Sequence, residues 1–157
     1  MEHTCCFFGH SECYGLDENS LLHAIEDLIN NGVNTFYVGH QGHFDGMVLS
    51  CLEKLTKTHP EISISVVLAY LPTQKSEYDL YRGYSMYPEG LEEVHPKFAI
   101  EKRNKWMIAQ SDYCICYITH TWGGAYKFAR QAKRKGLHVI NLGSITFEGS
   151  TRRGKKA

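Results

Sequence analysis

Short apolar runs alternate with amphipathic stretches from one end of the chain to the other. Residues 4–8 (Thr-Cys-Cys-Phe-Phe) form a brief apolar run stopped by Gly9, the pattern of a buried strand. Residues 20–31 then place Leu21, Leu22, Ile25, Leu28 and Ile29 at helical spacing, with Asn19 or Ser20 as the cap and Gly32 as the stop. A second strand is predicted at 35–38, ending at Gly39. A helix over about 44–58 follows, with Phe44, Met47, Val48, Cys51, Leu52 and Leu55 on one stripe.

A third strand is predicted at 62–70, ended by Pro72, and a tyrosine-rich loop segment at about 71–96, with some local helix at 76–81. Helix 97–110, strand 113–118, helix 123–135 (stopped by Gly136) and strand 138–142 complete the pattern. Short apolar strands alternating with amphipathic helices predict a mostly parallel sheet of about five strands, covered on both faces. The fold class is therefore α/β, a single doubly wound domain over residues 1–148. No repeat, linker or second domain is visible, and residues 149–157 read as a basic, disordered tail.

In such a sheet, ligands bind at the carboxyl ends of the strands, near the point where strand order reverses. The predicted strand ends are polar and glycine-rich. The first runs into Gly9-His10-Ser11, the second into Gly39-His40-Gln41-Gly42-His43-Phe44-Asp45-Gly46, and the fourth into Thr119-His120-Thr121-Trp122-Gly123-Gly124. The last two turns each feed a helix, whose unpaired amides attract an anion that glycine lets come close. Neither turn is a Walker loop or a G-x-G-x-x-G fingerprint, and tight turns use glycine for their own reasons.

Helix 97–110 adds a charge where a core residue is expected. Ile100, Met107 and Ile108 define its inward stripe, which also passes through Arg103 and Asn104. A guanidinium there needs acceptors. Either it pairs internally with a carboxylate such as Asp45, or it grips a ligand phosphate.

Lys plus Arg equals Asp plus Glu at 17 each, but four of the basic residues (Arg152, Arg153, Lys155, Lys156) lie in the tail, leaving 13 basic against 17 acidic in residues 1–151. A mildly acidic body argues against nucleic-acid binding except weakly through the tail. No run approaches the ~18 apolar residues that span a bilayer, and the start Met1-Glu2-His3-Thr4 lacks the form of a secretory signal. Six cysteines without a C-x-x-C pair read as buried reduced thiols, so a cytoplasmic location is expected. His40 with His43, and His10 with Cys13, do not complete a four-ligand set, so neither a metal nor a cofactor is expected. No G-x-S-x-G elbow or assignable Cys–His nucleophile is present.

Six stretches in register carry a resemblance. Cys5-Cys6-Phe7-Phe8-Gly9-His10, Phe36-Tyr37-Val38-Gly39-His40-Gln41-Gly42-His43-Phe44-Asp45, Val67-Leu68-Ala69-Tyr70-Leu71-Pro72, Tyr87-Pro88-Glu89-Gly90-Leu91-Glu92, Lys102-Arg103-Asn104-Lys105-Trp106-Met107 and Thr121-Trp122-Gly123-Gly124-Ala125-Tyr126 occur in that order. Over residues 4–142 the chain resembles the SLOG superfamily, and within it the small bacterial YspA/YpsA-like members.

The resemblance implies a Rossmann-like fold and a nucleotide or nucleotide-derived ligand. It implies a site built from the turn at 39–46, Arg103 and the turn at 121–124, and a homodimer. The superfamily also includes DprA and the LOG enzymes, which split cytokinin riboside monophosphates. LOG enzymes carry an arginine before the fourth strand, matched by Arg103, and a P-G-G-x-G-T-x-x-E motif after it, whose glutamate is catalytic. Here the second motif reads Thr121-Trp122-Gly123-Gly124-Ala125-Tyr126-Lys127-Phe128, without the proline, and the first acid after Asp112 is Glu148. Only Asp45 could replace the missing acid. The expected function is thus non-catalytic binding of a nucleotide-type ligand at Gly9, His10, Gly39, His40, Gly42, His43, Asp45, Arg103, Asn104, Thr121, Gly123 and Gly124. The alternatives are a phosphoribohydrolase-like enzyme and a regulatory protein-interaction module.

Overall fold

A computed structural model describes residues 3–70 and 85–147. The expected local helix at 76–81 and the basic tail lie outside the described residues.

The chain begins with strand Thr4–Gly9 (β1) and helix Glu18–Asn30 (α1). The helix starts earlier than its leucine spacing suggests. Asp17 is the extended residue before it, and the Asp17 carboxylate accepts the Ser20 hydroxyl at 3.3 Å. Gly32, at φ +103°, ends it in a left-handed conformation that suits glycine. Strand Thr35–Val38 (β2), helix Gly42–Leu55 (α2) and strand Ser63–Val67 (β3) follow.

Beyond 84 come strand Ser85–Met86 (β4), two short 3₁₀ turns, helix Ala99–Gln110 (α3), strand Tyr113–Tyr117 (β5), helix Gly124–Arg134 (α4) and strand His138–Asn141 (β6). The two-residue β4 raises the described sheet from the expected five strands to six, because β3 gains a partner through Val66–Ser85 and Val67–Met86.

The strand order is β4-β3-β2-β1-β5-β6, and every pairing is parallel. One face of the sheet (Cys5, Phe7, Phe36, Val38, Ile64, Val66, Ile115) packs on α1 and α2, and the other (Cys6, Phe8, Val67, Cys114, Cys116) on α3 and α4. This is a doubly wound, Rossmann-like α/β domain. All six cysteines are buried free thiols within it. No described helix is long and apolar enough to cross a membrane.

Strand order reverses at β1. From β1 the chain builds outward through β2 and β3, then returns to place β5 on the other side. The carboxyl ends of β1 and β5 therefore diverge into loops that leave a crevice between the two helix layers.

Candidate functional site

A cavity of about 660 Å³ occupies that crevice, lined by the ends of β1 and β2, the first turn of α2, the inner face of α3, and the turn entering α4. Gly9, His10, Gly39, Asp45, Arg103, Asn104, Gly123 and Gly124 line it. Of the other expected residues, His40, Gly42, His43 and Thr121 lie outside its lining.

The two glycine turns differ in what they offer. At the start of α2, the His43 amide donates to the Ser11 carbonyl at 2.9 Å, and the Gln41 amide to Asp45 Oδ2 at 2.9 Å. Gly42 has φ +86°, and a Cβ there would lie 2.9 Å from Ser11 Cα. The chain's own loop thus occupies this helix start, and its glycine serves that close approach rather than an open cradle. Gly9 has a packing reason as well: a Cβ would sit 2.3 Å from the ring of the fully buried Phe44.

The start of α4 is open. Gly123 precedes it at φ +95° with no side-chain cap. The amides of Gly124, Ala125 and Tyr126 donate to no acceptor among the described residues outside the helix. A side chain at Gly124 would meet nothing within 4 Å. Three uncommitted N–H groups and the positive end of the helix dipole lie at this helix start, where Gly123, Gly124 and Ala125 line the cavity.

Arg103 is only 3% exposed and is bound by neutral acceptors. Its Nε donates to Asn104 Oδ1 at 2.7 Å, Nη1 to the Val67 carbonyl at 2.8 Å, and Nη2 to Gln41 Oε1 at 2.6 Å. It therefore ties α3 to the end of β3 and to the residue preceding α2. Among the described residues no carboxylate lies within ion-pair distance of it, so the internal pair with Asp45, one of the two alternatives, is not formed; three neutral oxygens bind it instead. Burial pushes its pKa down, against the pull of Asp45. Three of the guanidinium's five donors are used among the described residues, where the other two N–H groups have no partner.

Gly39 separates the two charges. A Cβ there would lie 2.9 Å from Asp45 Oδ2 and 3.2 Å from Arg103 Nη1. Burial pushes the Asp45 carboxyl up to about 6, although the Gln41 amide and Arg103 both favour the charged form. Burial likewise holds His40 down at about 4, helped by Arg103. His40 Nε2 accepts the Ala69 amide at 3.3 Å, which places it behind the site rather than in it. His43 stands beside Cys13, with Nδ1 3.4 Å from the thiol sulfur. Burial pushes that thiol up, with Asp45 adding to the shift, so it is not an activated nucleophile. Among the described residues no group of three or more His, Cys, Asp or Glu side chains could hold a metal ion.

No protein-family model matches the chain, and no curated protein matches it significantly.

Of the remaining wall residues His10 was expected at the site, whereas His120, Trp122 and Ile100 were not. His10 Nε2 accepts the Thr119 amide at 3.1 Å, so the neutral ring carries its proton on Nδ1. Burial and His120 together lower its pKa. His10 stacks on His120, and His120 on Trp122. Trp122 is 67% exposed and Ile100 38% exposed, so two large apolar groups stand open at the cavity. Ile100, expected on the buried stripe of its helix, lies at the edge of the cavity instead. Trp122 and His120 lie in a turn the sequence marks for its glycines. The contact of His120 with His10, more than 100 residues away, has no local signal.

Proposed function

We propose that the protein binds a nucleotide or nucleotide-derived small molecule at the carboxyl ends of its strands, without a catalytic acid of the LOG type. The open start of α4 carries this reading. Gly124 and Ala125 line the cavity at the reversal of strand order, and uncommitted backbone amides at a helix start can hold a phosphate without a lysine or arginine clamp. The rest of the wall suits the remainder of such a ligand. Asp45 can accept hydrogen bonds from sugar hydroxyls when ionised, and a cavity of about 660 Å³ has the size of a small-molecule site. The resemblance to SLOG proteins implies the same ligand class.

Gly124→Pro tests the reading. Proline suits the first helical position and has open space here, so the helix persists while one amide donor disappears. Calorimetric titration with the common nucleoside monophosphates should show saturable binding to the wild type. Affinity should fall several-fold in Gly124→Pro at an unchanged melting temperature. No binding by any of them, or equal binding by the variant, overturns the reading.

A second reading is cleavage of an N-glycosidic bond, and one observation favours it: Asp45 lines the cavity with its carboxyl pushed up to about 6, so it can exchange a proton near neutrality. Release of free base from a monophosphate, lost in Asp45→Asn, would establish catalysis and replace the non-catalytic reading.

A further inference from the structure

We propose that His10, His120 and Trp122 form a stacking platform, and that the planar base of the ligand lies on the outer face of the Trp122 indole. The proposal rests on the nucleotide reading above and adds the part of the ligand that the helix start does not address.

The three rings form a ladder. His10 and His120 lie 3.7 Å apart at 13°, and His120 and Trp122 lie 3.8 Å apart at 21°. The inner end is anchored twice: the His10 amide donates to the Tyr117 carbonyl, and its Nε2 accepts the Thr119 amide. The ladder therefore stands on the carboxyl ends of β1 and β5. Its outer end is open. Trp122 is 67% exposed with one face on His120, and no other ring or cation packs on it among the described residues.

A cluster serving only to fill space would bury its largest ring and satisfy its polar atoms. Here the largest ring is the exposed one, and the buried His120 Nδ1 has no hydrogen-bond partner among the described residues. An indole fixed in orientation by a ring beneath it is ordered before any ligand arrives, which reduces the entropy lost on stacking. Trp122 lies two residues before Gly124, the first residue of α4. Ring and phosphate subsites are therefore adjacent in one turn. Ile100 supplies a further open apolar surface on the same cavity.

Adenosine monophosphate and ribose 5-phosphate separate the base from the rest of the ligand. In calorimetric titrations, Trp122→Ala should weaken the nucleotide by about tenfold or more, the usual range for losing a base–aromatic stack. Ribose 5-phosphate should change by less than about twofold, and Trp122→Phe should recover most of the nucleotide affinity. In a Trp106→Phe background Trp122 is the sole tryptophan, and its fluorescence should quench saturably with the nucleotide and not with the sugar phosphate. Equal loss of both ligands in Trp122→Ala, unchanged nucleotide affinity, or no quenching overturns the platform while leaving the nucleotide site in place. Failure of the wild type to bind either ligand or any other common nucleoside monophosphate overturns both, and where another monophosphate binds, the same three variants are titrated with it.

Discussion

Arg103→Ala separates a structural guanidinium from one held ready for a ligand. The side chain is 3% exposed and donates to Asn104 Oδ1, the Val67 carbonyl and Gln41 Oε1. Truncation strips a charged donor from all three acceptors. Hydrogen bonds to charged groups are worth roughly 1.5–3 kcal/mol each, but these three share one group and are not additive. Removing the guanidinium also removes its own desolvation cost. A net loss of about 2–4 kcal/mol is expected, smaller than the simple total of the three bonds. For a domain of this size each kcal/mol shifts the midpoint by ~2–4 °C, so calorimetric melts should fall by roughly 5–15 °C. Arg103→Met restores most of the volume without donors and should lose nearly as much. Arg103→Lys should fall between, since an ammonium cannot span three divergent acceptors. A melting temperature within ~2 °C of wild type for Arg103→Ala would refute the reasoning. A large loss of nucleotide affinity beside it would assign the guanidinium to the ligand.

Asp45 and His40 should pull stability in opposite directions with pH. The Asp45 carboxyl is raised to about 6, so its contribution is fully present below the unfolded value near ~3.9 and is lost as pH rises through about 6, an effect of ~3 kcal/mol. His40 is lowered to about 4, so its contribution is present above ~6.5 and lost as pH falls toward about 4, again by ~3 kcal/mol. Asp45→Asn should therefore raise the melting temperature at pH 7 and unmask a steady loss of stability between pH 6.5 and 4; an unchanged pH profile would exclude burial as the cause. Gly9→Ala should cost about 1–3 kcal/mol through its clash with Phe44, and Phe44→Leu should partly suppress that loss in a double-mutant cycle. Asn141 accepts the Ile118 and Gly143 amides and donates to the Ile118 and Ile145 carbonyls; Asn141→Ala should cost about 1–3 kcal/mol and speed hydrogen exchange at residues 118 and 143.

Local periodicity determined the architecture. The apolar runs at 4–8, 35–38 and 113–118, and the helical stripes between them, carry the strand and helix assignments because side-chain spacing depends only on nearby residues. The same pattern marked the polar strand ends as the place for a site, and the placement of Arg103 on an inward stripe showed that its charge must find acceptors. The pattern did not show β4, whose two residues are too few for any period. Only the tertiary structure decided which glycine turn stays open. The start of α2 is occupied by the Ser11 carbonyl, a contact across 32 residues of sequence, whereas the first amides of α4 meet no acceptor among the described residues. It also decided which acceptors take Arg103, drawing Val67 from β3 and Gln41 from the turn before α2, and it stacked His10 on His120 across the reversal of strand order. The physical reason is the same in each case. A parallel sheet brings strand ends together through long crossovers, so the groups that meet at its carboxyl edge are set by strand order and register, which residue spacing does not encode.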